Sequence, residues 1–148
     1  MNSVYIKIIS YKSVDHKEMI NLRQKILRDP LGLVFSKEDI EKEKNDCLIG
    51  AYFHENNKLT GCCILGQETG NTARLRQMAV ENICQKTGIG SMLLSYAEKT
   101  AINRGFSFMY LHAREVSVGF YTKNGYNIEG ERFEEVGIPH FAMKKRLY

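Results

Sequence analysis

Between residues 73 and 113 an apolar strand pattern runs from 73 to 80 and a glycine-bearing turn follows it. A helical stripe of Met92, Leu93, Tyr96, Ala97 and Ala101 then closes near Gly105, and a second strand pattern spans 106–113. Two strands joined through a helix of this length return parallel to each other, and the crossover is right-handed. The rest of the chain must therefore be arranged around one parallel pair.

The flanking patterns supply mostly antiparallel neighbours. Val4, Ile6 and Ile8 alternate as a first strand, and from Asp15 the residues Met19, Leu22, Ile26 and Leu27 recur at helical spacing through Arg28. Asp29, Pro30 and Gly32 end that helix, and Ser36 followed by Glu38, Asp39 and Glu41 marks the capped, acidic start of a second helix running to about Lys44. Stretches 47–53 and 59–65 flank a polar turn and read as a hairpin. A short helix is expected over 116–123, with terminal strands over 126–130 and 141–145. The order β α α β β β α β α β β predicts an α/β (α+β) fold on a mixed sheet, with residues 1–148 as a single domain.

Composition excludes some functions and leaves others. A formal net charge of +4, with only short basic runs such as Lys144, Lys145 and Arg146, gives no stripe for nucleic acid. No apolar run reaches membrane-spanning length and the first ten residues lack a signal-type core, so neither membrane nor export is expected. Cys47, Cys62, Cys63 and Cys84 show neither CxxC nor zinc-ligand spacing, which fits reduced thiols in a cytoplasmic protein and no metal. Self-association into a homodimer is left open.

The turn Gln85-Lys86-Thr87-Gly88-Ile89-Gly90-Ser91 stands between strand and helix, where unpaired N–H groups and the helix dipole favour an anion. The glycines allow phosphates near the backbone, Lys86 adds charge, and Thr87 and Ser91 add hydroxyl donors. No lysine follows Gly90, as a nucleotide P-loop requires, and Leu93 stands where a Rossmann fingerprint has its third glycine.

Gln85-x-x-Gly88-x-Gly90 resembles the pyrophosphate-binding motif of the GNAT N-acetyltransferases, and Phe120-Tyr121-x-x-x-Gly125-Tyr126 resembles their second motif. The segment Phe133-Glu134-Glu135-Val136-Gly137-Ile138-Pro139-His140 and the ending Leu111-His112-Ala113-Arg114 look like those of small ElaA-like members. Where many members carry an Asn that touches the pantetheine arm this chain has Arg114, and Ser117 replaces a common Ala.

The resemblance implies the GNAT acyl-CoA N-acyltransferase fold, with acetyl-CoA as co-substrate and a small-molecule or peptide amine as acceptor. The cofactor candidates are Met78, Ala79 and Val80 along the strand, the turn residues Gln85, Lys86, Thr87, Gly88, Ile89, Gly90 and Ser91, and Arg114, Phe120, Tyr121 and Lys123. Tyr121 resembles the tyrosine that serves the leaving sulfur. Candidates for the base are His112, Glu115 and His140, or a water relay, and Arg23 on the first helix is the candidate for holding an acceptor carboxylate. The alternative is a CoA-binding sensor or regulatory module without transferase activity.

Overall fold

The computed structural model describes residues 3–148. Seven strands form one sheet in the order β1-β2-β3-β4-β5-β7-β6. They are β1 (Val4–Ile9), β2 (Cys47–Phe53), β3 (Leu59–Thr69), β4 (Thr72–Val80), β5 (Phe108–Arg114), β6 (Asn127–Glu135) and β7 (Ile138–Arg146). The helices are α1 (Val14–Arg23), α2 (Lys37–Glu41), α3 (Ile89–Asn103) and α4 (Val118–Lys123). β4 and β5 are the parallel pair, and every other neighbouring pair is antiparallel. Among the described residues no helix is long and apolar enough to cross a membrane.

The continuous apolar runs of β2 and β3 follow from cover on both faces. Cys47, Ile49, Ala51, Cys63 and Leu65 pack with Leu93, Leu94 and Ala97 of α3, while Leu48, Cys62 and Ile64 pack with Met19 and Leu22 of α1. Each fully buried Leu or Ile is worth about 1.5–3 kcal/mol over exposure, so these two strands anchor the sheet.

Capping fixes the helix starts. Ser13 accepts from the His16 N–H at 3.1 Å to begin α1, and Ser36 and Asp39 exchange side-chain bonds in a capping box for α2. At the far end of α3 the Phe106 N–H returns to the Ala101 carbonyl at 3.0 Å past Gly105, whose φ is 90°.

Three elements depart from the sequence expectation. The first helix does not run uniformly to Arg28: after Arg23 it widens into a π turn over Gln24–Arg28, closed by the Asp29 N–H on the Gln24 carbonyl, and Asp29–Leu31 is a 3-10 turn. The Gln24 amide stabilises that exit by bonding Asp29 Oδ1 (2.6 Å), the Leu33 carbonyl (2.7 Å) and the Phe35 N–H (3.1 Å). α2 ends at Glu41, short of Lys44. At the other end of the chain, the strands expected over 126–130 and 141–145 run on to meet at Val136 and Gly137, so that β6 and β7 form one long hairpin. Gly130, at φ 82°, and extra residues between Glu129 and Phe133 break the alternation that would have marked the strand.

The opening in the sheet has a local cause. Between the pairs Cys62 with Ala79 and Ile64 with Arg76, β4 sets Gln77 and Met78 against the single residue Cys63, and Gln77 adopts φ 57°. This bulge bends β4. Its parallel pairing with β5 is confined to Thr72, Ala73 and Arg74, whereas β5 stays paired with β7 from Phe108 to Arg114. Beyond Arg74 the two central strands diverge, and a cleft of about 790 Å³ lies between them.

Candidate active site

Divergence leaves one edge of β4 without a partner. The Glu81 N–H is bonded to the Thr60 carbonyl on the β3 side, so by strand alternation Val80 turns its main-chain groups towards the cleft. The Val80 carbonyl takes the Gln85 side-chain amide at 3.0 Å, which leaves the Val80 N–H for a ligand. Met78 and Val80 line the cleft, whereas Ala79 faces the other way and is buried in the core beneath α1.

At the end of β4 the chain turns into α3. Gly88 stands at the helix N-cap with φ 93°, a conformation a side chain disfavours, and the first-turn N–H groups of Ile89, Gly90 and Ser91 have no intrahelical acceptor. A Cβ on Gly90 would stand 3.2 Å from Phe120 Cζ, tighter than an ordinary contact, so a larger residue here would need the Phe120 ring to shift. Gln85, Lys86, Gly88, Gly90 and Ser91 all line the cleft, as do Phe120 and Lys123 from α4. Two turn residues do not: Ile89 is buried in the core, and the Thr87 hydroxyl bonds the Cys84 carbonyl while its side chain lines a neighbouring groove. This anion cradle fits a diphosphate, because glycines keep the approach clear and N–H donors point into it.

Tyr121 closes the inner end. Its ring packs edge-on against Phe120 and Tyr126 at centroid distances of 5.0 and 5.8 Å, and its hydroxyl makes no hydrogen bond among the described residues. Burial, with a further contribution from Cys63, pushes the Tyr121 pKa well up, so the phenol keeps its proton. Buried Cys63 is pushed up in the same way.

The opposite wall is built by β5, β6 and β7. Leu111 and Ala113 enter the core under α3, so His112 and Arg114 emerge on the α1 side, and His140 is the cross-strand partner of Arg114. Glu135 sits between the two histidines: Oε1 is 2.9 Å from His112 Nδ1 and Oε2 is 3.6 Å from His140 Nε2. The His140 Nδ1 is 2.9 Å from the Ile138 carbonyl, which only accepts, so Nδ1 carries the proton and Nε2 of the neutral ring is bare. His112 is enmeshed instead, with Arg74 at 3.2 Å from Nδ1 and the Tyr110 hydroxyl at 3.1 Å from Nε2.

Two expected site residues lie elsewhere. Arg23 is wholly buried, with Nη1 2.9 Å from Glu43 Oε1 and its second nitrogen on Oε2, so it does not reach an acceptor. The reason is helical phase: Arg23 shares the inward face of α1 with Met19 and Leu22. Glu115 points outward, paired with Arg132 at 2.9 Å, and is no part of the cleft wall. Conversely Arg28 and Glu135 line the cleft although neither belongs to a motif in the sequence that points to a site. For Glu135 a signal existed, since it shares a strand face with Phe133 within the segment already noted.

A splayed parallel pair, a glycine cradle at the following helix and a buried tyrosine facing the gap now stand together. The family model described as "Acetyltransferase (GNAT) domain" matches residues 35–147. The chain belongs to the GNAT acetyltransferase family. It is 30% identical over 111 residues to the uncharacterized protein YyaT of Bacillus subtilis (strain 168), covering 74% of this chain and 73% of that protein. Among solved structures, Escherichia coli ElaA superposes with a TM-score of 0.82 at 18% identity, over 97% of this chain and 100% of the other. A GNAT family acetyltransferase from Elizabethkingia anophelis with acetyl-CoA bound gives 0.73 at 22% identity, over 99% of each chain. This GNAT protein is thus an acyltransferase, and it shares its fold with ElaA.

Proposed function

We propose that this GNAT protein transfers the acetyl group of acetyl-CoA to a primary amine by direct attack. The observation that carries the reading is the end of parallel pairing at Arg74, which opens a cleft running from the Gly88 and Gly90 cradle to Tyr121. The diphosphate would rest on the N–H groups that begin α3, with Lys86 adding charge, and the pantetheine arm would use the free edge at Met78 and Val80 as an added strand does. Bound there, acetyl-CoA supplies an activated thioester.

The protein's own groups then divide the proton work. His140 Nε2, bare in the neutral ring, takes the proton of the attacking amine, and Glu135 steadies the charge this creates. A main-chain N–H near Met78 polarises the carbonyl. Tyr121 donates to the departing sulfur. Its raised pKa does not disable it, because the burial that raises Tyr121 and Cys63 raises a thiol in the same place, so the two stay comparable. The four buried, unbridged cysteines suit a reducing compartment, which supports the cytoplasm as the site of action.

The test is an amine panel of polyamines, amino sugars, amino acids, aminoglycosides and peptide lysines, with thiol release and product mass both measured. Stoichiometric thiol and N-acetyl product from one class is the expected result. Acetyl-CoA binding by calorimetry with no turnover on any amine would instead make the protein a CoA-responsive module.

A further inference from the structure

Arg28 and Arg114 are two cations lining the cleft, and neither forms an ion pair among the described residues. Neighbouring arginines are compensated: Arg23 has Glu43, Arg74 has Glu68 and Arg76 has Asp46. Both unpaired guanidinium groups are nevertheless held in place. Arg114 Nη2 donates to the Leu27 carbonyl at 3.0 Å, and the Arg28 guanidinium lies 4.5 Å from the Phe35 ring centre. A carbonyl and a ring fix geometry without an ion pair, Asp39 feels the charge of Arg28 without bonding it, and most of the N–H donors of each fork remain unspent.

The two groups are neighbours, since the carbonyl that Arg114 bonds belongs to Leu27, the residue before Arg28. Burial, and then the charge of Arg28, lower the pKa of Arg114. Holding like charges together at a half-buried site costs free energy that an anion shared between them would recover. The π turn that presents Arg28 is tied down by the three bonds of Gln24, so the arrangement is built rather than frayed. Across the strand pair from Arg114 stands His140, and beyond it on β6, 3.6 Å from its Nε2, is Glu135, the sole carboxylate lining the cleft among the described residues. One end of the acceptor space therefore favours an anion and the other an ammonium.

We infer that the acceptor carries an anionic group, a carboxylate or a phosphate, which Arg28 and Arg114 hold while its amine meets His140. This rests on the acetyl-transfer reading above and narrows it to amines bearing an anion. Because Arg114 and His140 are directly opposed on adjacent strands, the amine and the anion are a few bonds apart in one small molecule.

Four matched probes test it at saturating acetyl-CoA: n-butylamine, putrescine, γ-aminobutyrate and phosphoethanolamine. The last two should exceed the first two in kcat/KM by about tenfold or more, and whichever of them leads identifies carboxylate or phosphate. Arg28→Gln and Arg114→Gln should each collapse that ratio through KM, with acetyl-CoA affinity by calorimetry held, while Lys58→Gln, an exposed cation elsewhere, should leave the ratio alone. Equal or better use of n-butylamine overturns the inference, as does an equal loss of acetyl-CoA affinity in both arginine variants, which would hand the pair to the co-substrate. If no probe is acetylated, γ-aminobutyrate and inorganic phosphate are titrated into the CoA-saturated parent. Binding that both variants lose sustains the anion site although the transfer reading has failed, and absence of binding in the parent refutes it.

Discussion

Arg23 and Glu43 close a two-pronged ion pair beneath α1, with Nη1 2.9 Å from Oε1 and both side chains shut off from solvent. His16 joins from the other side, its Nε2 at 3.1 Å from the same Oε1, because its Nδ1 already accepts the Lys12 N–H at 2.9 Å. The cluster ties α1 to the segment after α2. Glu43→Ala leaves the Arg23 charge buried alone and should cost about 3–5 kcal/mol of stability, read as a fall in urea midpoint at constant slope. A loss below about 1 kcal/mol would mean that water reaches the pair.

A Cβ on Gly90 would stand 3.2 Å from the Phe120 ring, tighter than an ordinary contact, and Gly88 holds φ 93°. Gly90→Val should push Phe120 aside and obstruct the cradle, raising the acetyl-CoA Kd by about tenfold or more, equivalent to about 1.4 kcal/mol. Gly88→Val should weaken binding similarly through backbone strain. Calorimetry on folded variants with parental affinity would contradict the placement of the diphosphate.

Lys86 lines the same cradle as a charge rather than a shaped donor. Its removal in Lys86→Ala should weaken acetyl-CoA binding by at most about tenfold, and the deficit should shrink as ionic strength rises. A deficit independent of salt would point to the backbone of Lys86, which adopts φ 65°, instead of its charge.

His140→Gln keeps bulk and polarity but removes the proton acceptor. The turnover of the best amine at pH 7 should fall by about 10²-fold, and the deficit should narrow towards pH 10, where the free amine no longer needs a base. Glu135→Gln should do less. A deficit of constant size from pH 7 to pH 10 would show that His140 shapes the wall without handling the proton.

How legible the site was depended on where its parts come from. The cradle could be read because Gly88 and Gly90 sit in one turn between two strong apolar patterns, and Tyr121 because it follows Phe120 on a short helix. The acceptor wall could not. Arg23 and Arg28 lie on one expected helix, but Arg23 falls on the inward stripe of Met19 and Leu22, while Arg28, which lines the cleft, ends a π turn over Gln24–Arg28 that no residue pattern announces. The divergence of β4 from β5 hinges on a bulge at Gln77, a residue type that gives no warning of positive φ. Glu135 reaches both histidines because β6 pairs with β7 up to Val136, through a strand whose alternation is interrupted at Gly130.

Tyr121→Phe tests the central claim most directly, since it removes one hydroxyl and leaves the packing against Phe120 and Tyr126 in place. Because the Tyr121 pKa is raised, the parent phenol stays protonated beyond its usual range, so the parent rate should climb with amine deprotonation up to pH 10 without a falling limb from this group. The measurement is the single-turnover rate of acetyl transfer with acetyl-CoA bound, which removes any masking by product release. The expected result is a fall of about 10²-fold in the Phe variant with acetyl-CoA affinity nearly constant. A single-turnover rate equal to that of the parent in the folded variant would contradict it, making Tyr121 a packing residue and leaving the sulfur to depart by another route.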